Sequence, residues 1–178
     1  AGGLVLGQEQ DAVGGGFDPN QALQGTLDEL SIWRRVLSAE EIRAAKDRTI
    51  YAGDLEGLYA GGVSTFEKAR RSAYQGLVQS EPSLITYFTL DRVGRGSDVD
   101  VAGGQVGRLY GGATMVAGGV LGTSGASLQL DGVDEALSTP YSASLNPSNL
   151  TLEVWARVDG GQGTYRSVVT SRAEADGR

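Results

Sequence analysis

Glu9 and Asp11 stand two residues apart in LGQEQD, and Asp18 and Gln21 follow across a glycine run in VGGGFDPNQ. In an extended segment, side chains at i and i+2 share a face about 6.6–7 Å apart along the chain. The two carboxylates therefore point the same way. The glycines permit a sharp reversal, because glycine tolerates positive φ without steric cost. The DPNQ that follows has turn chemistry, with Asp18 at the first position and Pro19 at the second. Such a reversal brings Asp18 and Gln21 back over Glu9 and Asp11. Residues 1–33 hold five acids (Glu9, Asp11, Asp18, Asp28, Glu29) and no lysine or arginine. Carboxylates gathered at short range repel unless something neutralises them. The donors on offer are all oxygens: the carboxylates, the Gln21 amide and the backbone carbonyl of Gln10. Such a set suits Ca²⁺, which takes roughly 6–8 oxygens at about 2.3–2.6 Å, better than Zn²⁺ or Cu²⁺. The spacing is not that of an EF-hand. On spacing alone, a solvated acidic loop accounts for these residues equally well.

Composition removes several other chemistries. The 178 residues contain no cysteine and no histidine, so disulfides, thiolate chemistry, zinc fingers, a Ser-His-Asp triad and a histidine general base are excluded. A net charge of −7 argues against nucleic acid or anionic lipid as partners. No apolar run approaches the roughly 18 residues of a membrane span. The opening AGGLVLGQEQ lacks the basic region of a signal peptide, which reads as a mature piece or a piece of something longer. Gly is abundant at 28 residues and Pro scarce at 4, without a Gly-X-Y period, which points to tight turns between short strands.

The elements around the acidic loop read as follows. Residues 3–7 are a short buried strand. GTLDELSIW alternates, with Leu27, Glu29, Ser31 and Trp33 facing one way and Asp28, Leu30, Ile32 and Arg34 the other. SAEE at 38–41 is a capping box that opens a short helix. Residues 49–63 are ambiguous, and 64–79 carry a second helical pattern, with Ser64 three before Glu67. Residues 46–82 thus form a partly helical linker. Beyond it, LITYFTLD alternates as a strand, and ASLQLDGVDEALSTP reads strand, Asp-Gly turn, strand. In LTLEVWARVD, Leu150, Leu152, Val154, Ala156 and Val158 share one face, and Thr151, Glu153, Trp155 and Arg157 the other. The sum is an all-β antiparallel sandwich.

Over about forty continuous residues, LVLGQEQDAVGGGFDPNQALQGTLDELSIWRRVLSAEEI resembles the second half of a pentraxin domain. The resemblance implies two adjacent Ca²⁺ ions in the acidic loop, one of which coordinates an anionic or polar ligand group. The matching positions are Glu9, the Gln10 carbonyl, Asp11, Asp18 and Gln21, with Asp18 where the family often has Glu. Residues 84–178 are similar, more loosely, to the opening of a LamG-like, concanavalin A-like jelly roll, through YFTLD, LQLDGVDEAL and LTLEVWARV. In pentraxins the strand after this point leads to an Asp-Asn pair that completes the first Ca²⁺ site. Asp176 stands there, with Gly177 in place of Asn. Glu153 occupies the strand position where the family commonly carries a cysteine.

The two halves come in reversed order: residues 1–45 resemble the C-terminal part of a domain and 83–178 the N-terminal part. A stretch of a tandem-repeat protein, a circular permutant and completion by a neighbouring chain all produce this order. The first is preferred, because a bare half-sandwich exposes its core and edges. The expected function is then a non-enzymatic, Ca²⁺-binding, lectin-like module of a large extracellular or cell-surface protein. Its partners would be a glycan or a phosphorylated or other anionic ligand bound through Ca²⁺, together with neighbouring LamG-like domains or identical chains, for adhesion. The alternative is a structural repeat of an extracellular filament or matrix. A retaining glycosidase ranks below both: E-x-D is present in EQD, but position 14 is Gly, and retaining chemistry needs two carboxyls about 5–5.5 Å apart. Asn149-Leu150-Thr151 is an N-glycosylation sequon. Trp33 and Trp155 are residue types that stack on sugars, although a strand tryptophan in a sandwich more often packs in the core or rim. Asp131, Asp134 and Glu135 read as a turn, and Lys68, Arg70 and Arg71 as a solvated helix face.

Overall fold

The computed structural model describes residues 3–13, 15–50, 73–160 and 166–171. Its strands are β1 (Leu4–Leu6), β2 (Gln24–Trp33), β3 (Leu84–Phe88), β4 (Ser97–Val99), β5 (Val106–Tyr110), β6 (Thr114–Gly119), β7 (Gly122–Asp131), β8 (Ala136–Ser138), β9 (Thr151–Gly160) and β10 (Val169–Ser171). They form two antiparallel sheets, the all-β sandwich expected from the strand pattern and consistent with the jelly roll that the resemblance implies. The first sheet runs β10-β1-β8-β5-β4. In the second, β9 lies along one side of β2, while β7 and β3 share the other side and β6 extends beyond β7. Between the sheets lies one apolar core, with Leu4, Leu6 and Leu137 from the first facing Leu27, Leu30, Ile32, Phe88, Leu128 and Leu130 from the second. Val154 packs against it from β9.

Strands from residues 1–45 interleave with strands from 83–178. β1 pairs with β8 on one side and β10 on the other, through Leu6–Leu137 and Leu4–Ser171. β2 pairs with β3, β7 and β9. Both segments therefore contribute to both sheets and to the same core.

β2 does not alternate as its sequence predicts. Leu27, Leu30 and Ile32 all reach the inter-sheet core, and Trp33 joins a second cluster. The cause is a bulge: the register with β9 shifts between Asp28 and Ser31, and Glu29 takes φ 53°. One extra residue reverses the faces of everything after it.

The second cluster lies outside the sandwich. Trp33, Leu37, Tyr87 and Leu121 meet Ala45 of helix α1 (Ala39–Ile50) and Tyr74 and Val78 of helix α2, residues 73–80. The capping box of α1 forms as expected: Ser38 Oγ accepts from the Glu41 N–H at 3.2 Å, and Glu41 Oε2 accepts from the Ser38 N–H at 2.7 Å. Arg35 bridges Glu41 at 2.5 Å and Glu81 at 2.7 Å, which ties the start of α1 to the end of α2 and holds both carboxyls down to about 2. The remainder of the predicted 64–79 helix, with Lys68, Arg70 and Arg71, lies outside the described residues.

Two outcomes follow. Leu6→Ala and Leu137→Ala, both at fully buried sites, each lower the same cooperative unfolding transition by about 2–5 kcal/mol. Urea denaturation checks this, and separate transitions for the two segments would contradict the shared core. The second outcome concerns Glu153, whose carboxyl accepts from the Tyr74 hydroxyl at 2.7 Å. Burial raises its pKa above the ordinary glutamate value, and the tyrosine bond offsets only part of that. Its contribution to stability is full below the ordinary value and is lost as pH rises through the raised folded value. Glu153→Gln therefore flattens the pH dependence between acid and neutral pH and unfolds at higher urea than the parent at neutral pH.

Candidate metal centre

The LGQEQD segment continues from β1 and keeps its alternation. Gln8 and Gln10 point inward, at 0% and 2% exposure, which turns Glu9 and Asp11 the other way. Gln8 Nε2 donates to the Val133 carbonyl at 3.1 Å, fastening the loop to the turn after β7. Gln10 Nε2 donates to Thr170 Oγ1 at 3.1 Å, and the same hydroxyl donates to the Gln8 carbonyl at 2.8 Å. Two glutamines and one threonine thus fix the backbone that carries the two acids.

The loop is closed at its neck. The Leu23 N–H bonds the Gly7 carbonyl at 2.9 Å, and the Gly7 N–H bonds Val168 at 3.0 Å. Gly7 has φ +89°, and a Cβ there would meet Leu130 Cδ1 at 2.5 Å, so only glycine passes. Further out, Ala12 and Gly15 exchange backbone bonds of 3.1 Å in each direction, the reversal predicted from the glycine run. Asp18 then caps a 3-10 turn at Pro19–Gln21, accepting from the Asn20 N–H at 2.9 Å. That bond is the main cause that lowers the Asp18 pKa. Gln21 Nε2 reaches Asp18 Oδ2 at 3.5 Å, and the Gln21 carbonyl accepts from the Ser167 N–H at 3.2 Å.

Glu9, Gln10, Asp18 and Gln21 thus lie on one closed loop braced by residues 166–171. Asp11 is exposed. Asp176 lies outside the described residues. Among the described residues, no three acidic side chains stand close enough to hold a metal ion between them. One observation fits a cation directly: Glu9 Oε2 is buried and has no hydrogen-bond partner among the described residues. A carboxylate oxygen removed from water without a donor is costly, and a hard cation is the partner such an oxygen accepts. The donor types agree, since every group the resemblance names supplies oxygen.

Gln8 and Thr170 were not singled out from sequence. The signal for Gln8 was present in the alternation of LGQEQD, where both glutamines fall on the inward face. Thr170 had none, because its role depends on β10 pairing with β1. The acids of LDGVDE form a turn, as expected, with the Val133 N–H on Asp131 Oδ1 at 2.8 Å. Asn149 is exposed.

Thr170→Val deletes both bonds of its hydroxyl while keeping the shape of the side chain. It should lower stability by about 1–3 kcal/mol, measured by urea denaturation, whereas Thr114→Val at an exposed site of β6 should not.

Comparison with known proteins bears on the same segment. Residues 1–57 match the Pentaxin family. C-reactive protein 1.4 of Limulus polyphemus is 44% identical over 80 residues, covering 44% of this chain and 32% of that protein. C-reactive protein of Sus scrofa is 41% identical over 81 residues, covering 46% and 32%. Neuronal pentraxin-2 of Homo sapiens is 62% identical over 39 residues, covering 22% and 9%. The chain spans about a third of the length of the first of these curated relatives. No solved structure matches it. Residues 1–57, which carry β1, the acidic loop, β2 and α1, are therefore similar to the Pentaxin family over about a third of this chain, within a sandwich of two antiparallel sheets.

Proposed function

We propose that the chain is a Ca²⁺-binding, non-enzymatic ligand-binding module that acts outside the cell. Ca²⁺ is held by Glu9, the Gln10 carbonyl, Asp11, Asp18 and Gln21, with Asp176 completing the site. The bound ion bridges to a phosphorylated or other anionic group, or to a glycan. The buried, partnerless Glu9 Oε2 carries this reading. It sits in the segment that matches the Pentaxin family, on a loop whose other named donors are also oxygens, the type a hard cation prefers.

The arrangement of domains belongs to the same proposal. The boundaries 1–45, 46–82 and 83–178 set two complementary halves of the family fold in reversed order. The pairing of β1 and β2 with the later strands supports a closed arrangement, in which the first segment completes the second. In a tandem array the same contacts would form within each repeat.

A second reading, the structural repeat, is favoured by the apolar residues Leu150, just before β9, and Leu152 and Val158 along it, which are 46%, 37% and 56% exposed. A repeat packed against a neighbour would cover them.

Thermal unfolding of the chain with Ca²⁺ and with chelator, beside Glu9→Ala/Asp11→Ala, separates the readings. A ligand that binds only the folded state raises Tm, by about 2.7 kcal/mol of stabilisation at a hundredfold excess over Kd. The proposal expects a rise with Ca²⁺ that the double substitution abolishes. No shift at millimolar Ca²⁺ would place the structural repeat first.

A further inference from the structure

We propose a second binding site, independent of the acidic loop: a groove for a neutral oligosaccharide on the solvent side of the second sheet. The groove encloses about 540 Å³ and is floored by Thr26 and Asp28 of β2, Ser127 and Gln129 of β7, and Trp155 and Arg157 of β9. Residues 116–120 form its far wall. Strand register explains why these residues meet. Arg157 pairs with Thr26, Thr26 with Gln129 and Gln129 with Thr114, one row across four strands. Trp155 pairs with Asp28, and Ser127 with Val116, in the next row. Intervening residues Leu27, Leu128 and Val154 turn into the core, so the groove lies on the opposite face of the sheet. Strands about 4.8 Å apart give it a width of about 14 Å.

The lining fits a sugar. A pyranose presents an apolar C–H face and a rim of hydroxyls, so its partner needs a flat apolar surface beside polar groups that both donate and accept. Trp155 supplies the surface. Its indole nitrogen is buried while the residue lines the groove, so burial at one edge restricts the ring. An aromatic ring held in advance loses little freedom on binding. Gln129, Thr26 and Ser127 supply amide and hydroxyl groups. Asp28 is oriented by the Val120 N–H at 2.8 Å, and Arg157 by Asp159 at 2.8 Å. Arg157 is already neutralised by Asp159, and Asp28 adds a carboxylate to the floor, which favours a neutral ligand over a phosphorylated one. An extended peptide is disfavoured, because β2 and β7 are each paired on both sides and offer no open ladder.

Calorimetric titration of the full chain with maltotriose, cellotriose, chitotriose and mannotriose tests the site. Chelator is kept present, so that the acidic loop takes no part. At least one trisaccharide should bind at millimolar concentration. Trp155→Ala and Gln129→Ala should each weaken it by about tenfold, and Trp155→Phe by less. Gln129 is exposed, so its variant should unfold at the parent's Tm. The groove is overturned if no trisaccharide binds in chelator, if binding requires Ca²⁺, if both alanine variants bind as the parent does, or if an extended peptide binds there instead.

Discussion

Nearly everything in the second sheet rests on a fork in β2. β7 bonds to β2 as far as Leu27, β3 takes over from Leu30, and Asp28 and Glu29 lie where the two partners part. Ladder bonds are missing there, and carboxylates replace them. Asp28 accepts from the Val120 N–H at 2.8 Å, and Asp91 from the Ala126 N–H at 2.9 Å. Glu29 accepts from the Tyr87 hydroxyl and, at 3.4 Å, from Gln75 of α2. Its left-handed backbone costs about 1–3 kcal/mol, which the surrounding hydrogen bonds and the fully buried Tyr87 offset. Tyr87 and Tyr74 are both held above the usual phenol range, by burial first and by the nearby glutamates next.

The fork also divides the labour of the molecule. The acidic loop follows β1 and is braced by β10, so it depends on the first sheet. Asp28 and Trp155, brought opposite each other at the bulge, lie on the far side of the second sheet. A ligand bridged by a cation on the loop and a saccharide in the groove would engage surfaces that share a core and no side chain. Glu153 of β9 receives the Tyr74 hydroxyl from α2. A hydrogen bond between sheet and helix thus fastens α2 to the outer face of the second sheet.

Much of this was legible in the residues. The capping box at Ser38, the Asp-Gly turn, the reversal at the glycine run and the alternation of β9 are all short-range patterns, fixed by a few neighbouring side chains. The faces of β2 were not legible. DELS contains no glycine to mark a left-handed residue, and Glu29 adopts that backbone only because Tyr87 and Gln75 arrive from distant parts of the chain. The oxygen donors of the loop could be named from type and spacing, whereas Thr170, their brace, could not, because strand pairing at long range leaves no local trace. Trp155 could be assigned to a face, but its neighbours Thr26 and Gln129 come from strands whose register only the folded sheet defines.

The interleaving of β1 between β8 and β10 has a kinetic consequence. Leu4 finds its partner at Ser171 and Val5 at Ser138, so β1 is paired only after more than a hundred further residues have been made. At about 5–20 residues per second of synthesis, it waits on the order of ten seconds with both edges open. Contacts this distant in sequence make for slow folding, and the waiting strand is short: three residues, fully apolar, bounded by glycines. A strand of that length offers a stray partner few backbone bonds. Brevity at β1 thus lowers the hazard of pairing with another copy while its partners are still being made.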